Sequence, residues 1–103
     1  MRFDVYGWAS KCLGVACRQV EDVLGVKFEL HDSSYHGGSY YLWRGNSSEE
    51  LIIQCNFQDE EGYWYEQENL SQQVLLYASA MSDCDYDLLA SMEGVSLLRS
   101  RKL

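Results

Sequence analysis

The spacing of apolar residues changes period along the chain, and each period predicts an element. Across residues 5–24, Ala9, Leu13, Ala16, Val20 and Val23 recur at three- and four-residue steps and mark one face of a helix. Cys12, Cys17 and Leu24 widen that face, while Lys11, Arg18, Gln19, Glu21 and Asp22 fall mostly elsewhere. Gly25 follows the last periodic residue and reads as a stop. Gly14 inside this stretch costs about 1 kcal/mol against alanine. Either a close contact compensates or the helix starts later, and residues 2–5 then read as a short strand.

After Gly25 the period falls to two. In residues 26–30, Val26, Phe28 and Leu30 face one way and Lys27 and Glu29 the other, the pattern of a half-buried strand. Residues 31–38 (HDSSYHGG) carry turn chemistry, residues 39–44 read as a second strand, and residues 45–48 as a hairpin connection. A third strand follows over 49–56, with Leu51, Ile53 and Cys55 on one face. Consecutive strands with short connections imply an antiparallel meander. Residues 72–79 (QQVLLYAS) predict a fourth strand, although a run this apolar is also compatible with a helix. Ser82 or Asp83 caps a short helix over 83–92, with Asp85 and Asp87 in its first turn, where the helix dipole favours carboxylates. Gly94 ends it, residues 94–99 form a short last strand or extended tail, and 99–103 fray. The expectation is one α+β domain over residues 1–103. Its antiparallel four- to five-stranded sheet is packed on one face by an N-terminal helix and a short C-terminal helix.

Charge alters this picture of an ordinary small domain. The 103 residues carry a net charge of −8, with 16 Asp or Glu against 8 Lys or Arg. Between Arg44 and Arg99 there are eleven carboxylates and no Lys or Arg at all. The densest part, residues 56–69 (NFQDEEGYWYEQEN), sets Asp59, Glu60, Glu61, Glu66 and Glu68 around Tyr63, Trp64 and Tyr65. One-signed charge generates a negative field that attracts cations or basic proteins. Adjacent large aromatics among charges are the composition of a protein-binding hot spot rather than of a merely solvated loop. These eight residues are the candidate partner-binding surface. Nucleic acid is not an expected partner, because a phosphate backbone requires clustered Lys and Arg. No apolar run approaches the roughly 20 residues of a membrane span, and residues 1–12 lack the apolar core of a signal peptide. A cytoplasmic protein is expected.

Other chemistry has weaker support. Cys12, Cys17, Cys55 and Cys84 form no C-x-x-C pair and no zinc-finger spacing, so they are expected to act as small buried hydrophobes. Asp83-x-Asp85-x-Asp87 resembles the start of a calcium loop, but Leu88 and Gly94 stand where Gly and Glu are required. No metal and no cofactor are expected. His31, Asp32 and His36, with Ser33 and Ser34, hold the side-chain types of a hydrolase. Partners in one short loop do not readily orient one another, however. The expectation is a protein that is not an enzyme; a small hydrolase using this loop and an acidic adaptor or regulatory subunit are the alternatives.

Several patches together resemble a known family. Residues 24–29 (LGVKFE) lead into Asp32-Ser33-Ser34-Tyr35-His36-Gly37-Gly38-Ser39-Tyr40-Tyr41, then the apolar strand 51–56 (LIIQCN), then the acidic run. Over about residues 13–80 this is similar to small bacterial immunity proteins of contact-dependent growth inhibition and other polymorphic toxin systems. The resemblance implies an inhibitor that binds a cognate toxin domain, often a nuclease, in a 1:1 complex and covers its active site. It brings no catalytic residue. The partner-facing residues of such proteins differ between members, so only the Ser-Ser-x-x-Gly-Gly-x-Tyr stretch transfers, as a fold-forming part.

Overall fold

A computed structural model describes residues 2–9, 11–33, 38–56 and 73–102. The chain runs β1 (Arg2–Trp8), α1 (Leu13–Leu24), β2 (Glu29–Ser33), β3 (Gly38–Arg44), β4 (Glu50–Cys55), β5 (Val74–Ser79), α2 (Asp83–Ala90) and β6 (Val95–Lys102). All strand pairs are antiparallel, in one sheet ordered β2-β3-β4-β5-β1-β6. The α+β class holds, but among the described residues the sheet has six strands rather than four or five.

The extra strand is β1, which helical spacing had absorbed. Residues 2–8 alternate: Asp4, Tyr6 and Trp8 lie on one face, Phe3, Val5 and Gly7 on the other, and all from Asp4 to Trp8 are buried. Aromatic and β-branched residues suit a pleated surface better than a helix. α1 accordingly starts at Leu13, so Gly14 falls in its first turn, exposed, with nothing within 4 Å of an added Cβ. Gly14→Ala is therefore expected to stabilise the fold by about 0.5 kcal/mol, read as a higher urea midpoint at unchanged m-value. Gly25 ends α1 as expected, left-handed at φ 69°, its N–H donating to the Glu21 carbonyl at 2.8 Å.

Two further boundaries move for local reasons. Phe28 N–H donates to the Glu21 carboxylate at 2.9 Å, so the lead-in to β2 is held by α1 and ladder pairing starts only at Glu29. Phe28 still buries its ring, edge-on to Tyr41. The C-terminal residues to Lys102 do not fray; β6 pairs with β1 along its length, with a bulge between the Val5–Arg99 and Tyr6–Leu97 pairs.

Both helices cover the face carrying Tyr6, Trp8, Leu51, Ile53, Val74, Leu76 and Ala78, where Ala16, Cys17, Val20, Tyr86 and Leu89 complete the core. On the other face Val5, Gln54 and Leu75 are also fully buried. β5 thus has apolar neighbours on both sides, which explains its continuous rather than alternating sequence.

A buried polar cluster joins the chain ends. The Asp4 carboxylate, wholly buried, accepts from Arg2 Nε (3.1 Å) and Nη2 (2.9 Å), from the Tyr6 hydroxyl (2.7 Å) and from Ser100 Oγ. The Arg2 guanidinium also lies over the Tyr86 ring, 4.3 Å from its centre. The Tyr86 hydroxyl donates to the Arg2 carbonyl and accepts from Met81 N–H. Beside it Ala80, left-handed at φ 58°, donates its N–H to the same carbonyl at 2.9 Å. β1, β6, α2 and the β5–α2 turn are locked together here.

Candidate partner-binding surface

Asp59, Glu60, Glu61, Tyr63, Trp64, Tyr65, Glu66 and Glu68 lie outside the described residues. The structure does describe the stem from which they come. β4 and β5 are neighbours at the centre of the sheet, in register from Glu50–Ser79 to Cys55–Val74. Beyond that last pair, Asn56 N–H donates to the Gln73 carbonyl at 2.9 Å, and Gln73 N–H to the Trp8 carbonyl at 2.8 Å. Asn56 is buried. Residues 57–72 therefore begin and end at two fixed backbone positions held by β1, β4 and β5.

The other six carboxylates between Arg44 and Arg99 are described. Glu50 opens β4 and pairs with Arg44 at 3.1 Å. Asp83, Asp85 and Asp87 are on α2, whose first turn is capped by Ser82 Oγ accepting from Asp85 N–H. Glu49 and Asp85, far apart in sequence, both line an open cleft of about 560 Å³ with Trp43, Arg44, Asn46 and Met81. Neither forms an ion pair among the described residues. The cleft is at the Glu50 end of β4, whereas residues 57–72 leave from the Cys55 end. In the sequence Glu49 opens the third predicted strand and Asp85 lies in the first turn of the second helix, with no signal linking them; only the fold brings them together.

Cations gather elsewhere. Arg99, Arg101 and Lys102 are on β6, at the sheet edge. β1 separates that strand from the β4–β5 stem.

The histidine cluster does not assemble among the described residues. His31 and Asp32 are successive residues of β2 and project to opposite faces. His31 stacks on Tyr40, ring centres 5.5 Å apart, and its Nε2 is 3.4 Å from the Glu29 carboxylate. His36 lies outside the described residues. No group of three His, Cys, Asp or Glu among the described residues could hold a metal ion. Only Cys17 of the four cysteines is buried, and burial pushes its thiol up to about 12; Cys55 is half-buried, while Cys12 and Cys84 are exposed, contrary to the expectation of four buried hydrophobes. All four are free thiols. No helix among the described residues is long and apolar enough to cross a membrane.

Compared with protein-family models, with curated proteins and with solved structures, the chain finds no match in any of the three.

Proposed function

We propose that this chain is an immunity protein that neutralises a cognate toxin domain, a basic nuclease being the class that fits, by 1:1 protein–protein binding in the cytoplasm. The carrying observation is segregation of charge: eleven carboxylates and no Lys or Arg between Arg44 and Arg99. Five of those carboxylates, with the Tyr-Trp-Tyr triplet, belong to a connection whose two ends are held at the centre of the sheet. A nuclease cleft must be basic to hold phosphate. An acidic surface presents it with a similar field, and complementary fields raise association rates by orders of magnitude at low salt. Tyr63, Trp64 and Tyr65 supply the desolvated centre of such a contact, with Asp59, Glu60, Glu61, Glu66 and Glu68 as its polar rim. The resemblance to immunity proteins over residues 13–80 points the same way.

Co-expression with the C-terminal domain encoded by the adjacent reading frame tests this reading. That domain alone is expected to arrest growth and this chain to restore it; arrest that persists with this chain folded and abundant contradicts it. Reversing charge at Asp59, Glu60 and Glu61 together is expected to slow association with the domain at least about tenfold at low salt. Stopped-flow fluorescence reads this directly.

A further inference from the structure

We infer that the β2 edge is a self-complementary surface on which a second copy of this chain pairs antiparallel about Leu30, extending one sheet across both copies. The proposal does not depend on the proposed function.

The two edges of the sheet differ. β6 carries Arg99, Arg101 and Lys102 and a bulge, the devices that keep edge strands from pairing. β2, Glu29–Ser33, has no Lys, Arg or Pro, and its register with β3 is regular from Glu29–Leu42 to Ser33–Gly38. One side of β2 is hydrogen-bonded to β3; among the described residues no strand lies on the other side, where backbone N–H and C=O groups point outward. Leu30, at its centre, is 62% exposed, the highest value among the exposed large hydrophobics.

Symmetry then selects the register. A two-fold axis normal to the sheet keeps every side chain on its own face, so the pairing must centre on a residue. Centred on Glu29, each Glu29 opposes its copy. Centred on His31, two imidazoles meet and Leu30 faces a carboxylate, Asp32. Centred on Leu30, leucine packs on leucine, and Glu29 faces His31 of the other copy twice, once on each side of the axis. Apolar pairs and hydrogen-bonding pairs directly across an antiparallel ladder stabilise it, an imidazole N–H being a donor to a carboxylate, and like charges destabilise it. Only the Leu30-centred register satisfies both conditions. It also leaves both copies' helices on the same face of the joint sheet. In this register only Glu29, Leu30 and His31 of each strand oppose one another, a small interface, so the dimer is reversible and concentration-dependent. Each copy carries −8, so added salt strengthens association by screening.

The test is sedimentation velocity of the purified full chain from about 10 µM to about 1 mM, at low and high salt. The expected result is a weight-average mass rising from one chain towards two, earlier at high salt. Leu30→Lys, at an exposed position where the fold is not at stake, is expected to shift the midpoint at least about tenfold upward by putting two cations against each other. Amide exchange is expected to slow within Glu29–His31 at high concentration. A chain that stays monomeric to 1 mM overturns the proposal. So does a dimer that Leu30→Lys leaves unchanged, or one in which β2 amides gain no protection.

Discussion

Asp4→Ala is expected to destabilise the protein by about 3 kcal/mol, enough to remove a large fraction of the stability of a domain this size. Asp4 is fully buried and accepts from Arg2, Tyr6 and Ser100. Truncation leaves the Ser100 hydroxyl without its acceptor, the Tyr6 hydroxyl with only the long 3.5 Å contact to the Tyr86 carbonyl, and the guanidinium without its counter-charge, over the Tyr86 ring. Burial by itself would push the Asp4 carboxyl up, but the Arg2, Ser100 and Tyr6 donors outweigh it and hold the group below the usual carboxylate range. The sign of the pH effect follows. A folded-state value below the unfolded value of about 3.9 contributes stability that is fully present above pH 4. It is lost as pH falls through the depressed value. Asp4→Asn keeps the shape and removes the titration, so its urea midpoint should fall less steeply than the wild type's between pH 4 and pH 2. An alanine variant as stable as the wild type would show that the cluster is incidental.

Trp8→Ala is expected to cost about 4 kcal/mol, the usual effect of emptying a large aromatic site that cannot collapse. Trp8 is fully buried at the end of β1. Its indole N–H donates to Gln19 Oε1 at 3.0 Å, and Gln19 Nε2 donates to the Glu93 carbonyl at 2.9 Å, so one ring links the sheet, α1 and the turn after α2. Its carbonyl accepts from Gln73 N–H, at the foot of the acidic connection. Trp8→Phe fills part of the volume and deletes the donor, and is expected to cost about 2 kcal/mol. Urea titration at constant m-value measures both. If the alanine variant costs less than the phenylalanine one, the packing account of this site is wrong.

Sequence pattern made β3, β4, α1's end at Gly25 and α2's start at Ser82 legible, because each has a clean period or a strong punctuating residue, whereas the continuous apolar run of β5 is compatible with a helix as well as a strand. β1 was hidden because Ala9, Leu13 and Ala16 extend a helical period backwards past the Lys11–Cys12 link, and no proline marks the boundary. β6 reached further than its apolar residues suggested, since its last residues are held by ladder bonds to β1 and by Ser100 at Asp4, 96 residues away in sequence. The acidic aromatic segment was legible as composition alone. The Glu49–Asp85 cleft and the symmetry of the β2 edge were not legible, because both depend on which elements become neighbours.

The central claim is that surplus negative charge on this chain grips a basic protein. Calorimetric titration with the purified C-terminal domain of the adjacent gene product, from about 50 to about 500 mM salt, spans roughly a threefold change in Debye length. The account predicts a 1:1 complex whose affinity falls at least about tenfold over that range, with a shallower fall when Asp59, Glu60 and Glu61 are reversed in charge. An affinity indifferent to salt, or no complex at any salt, would contradict it.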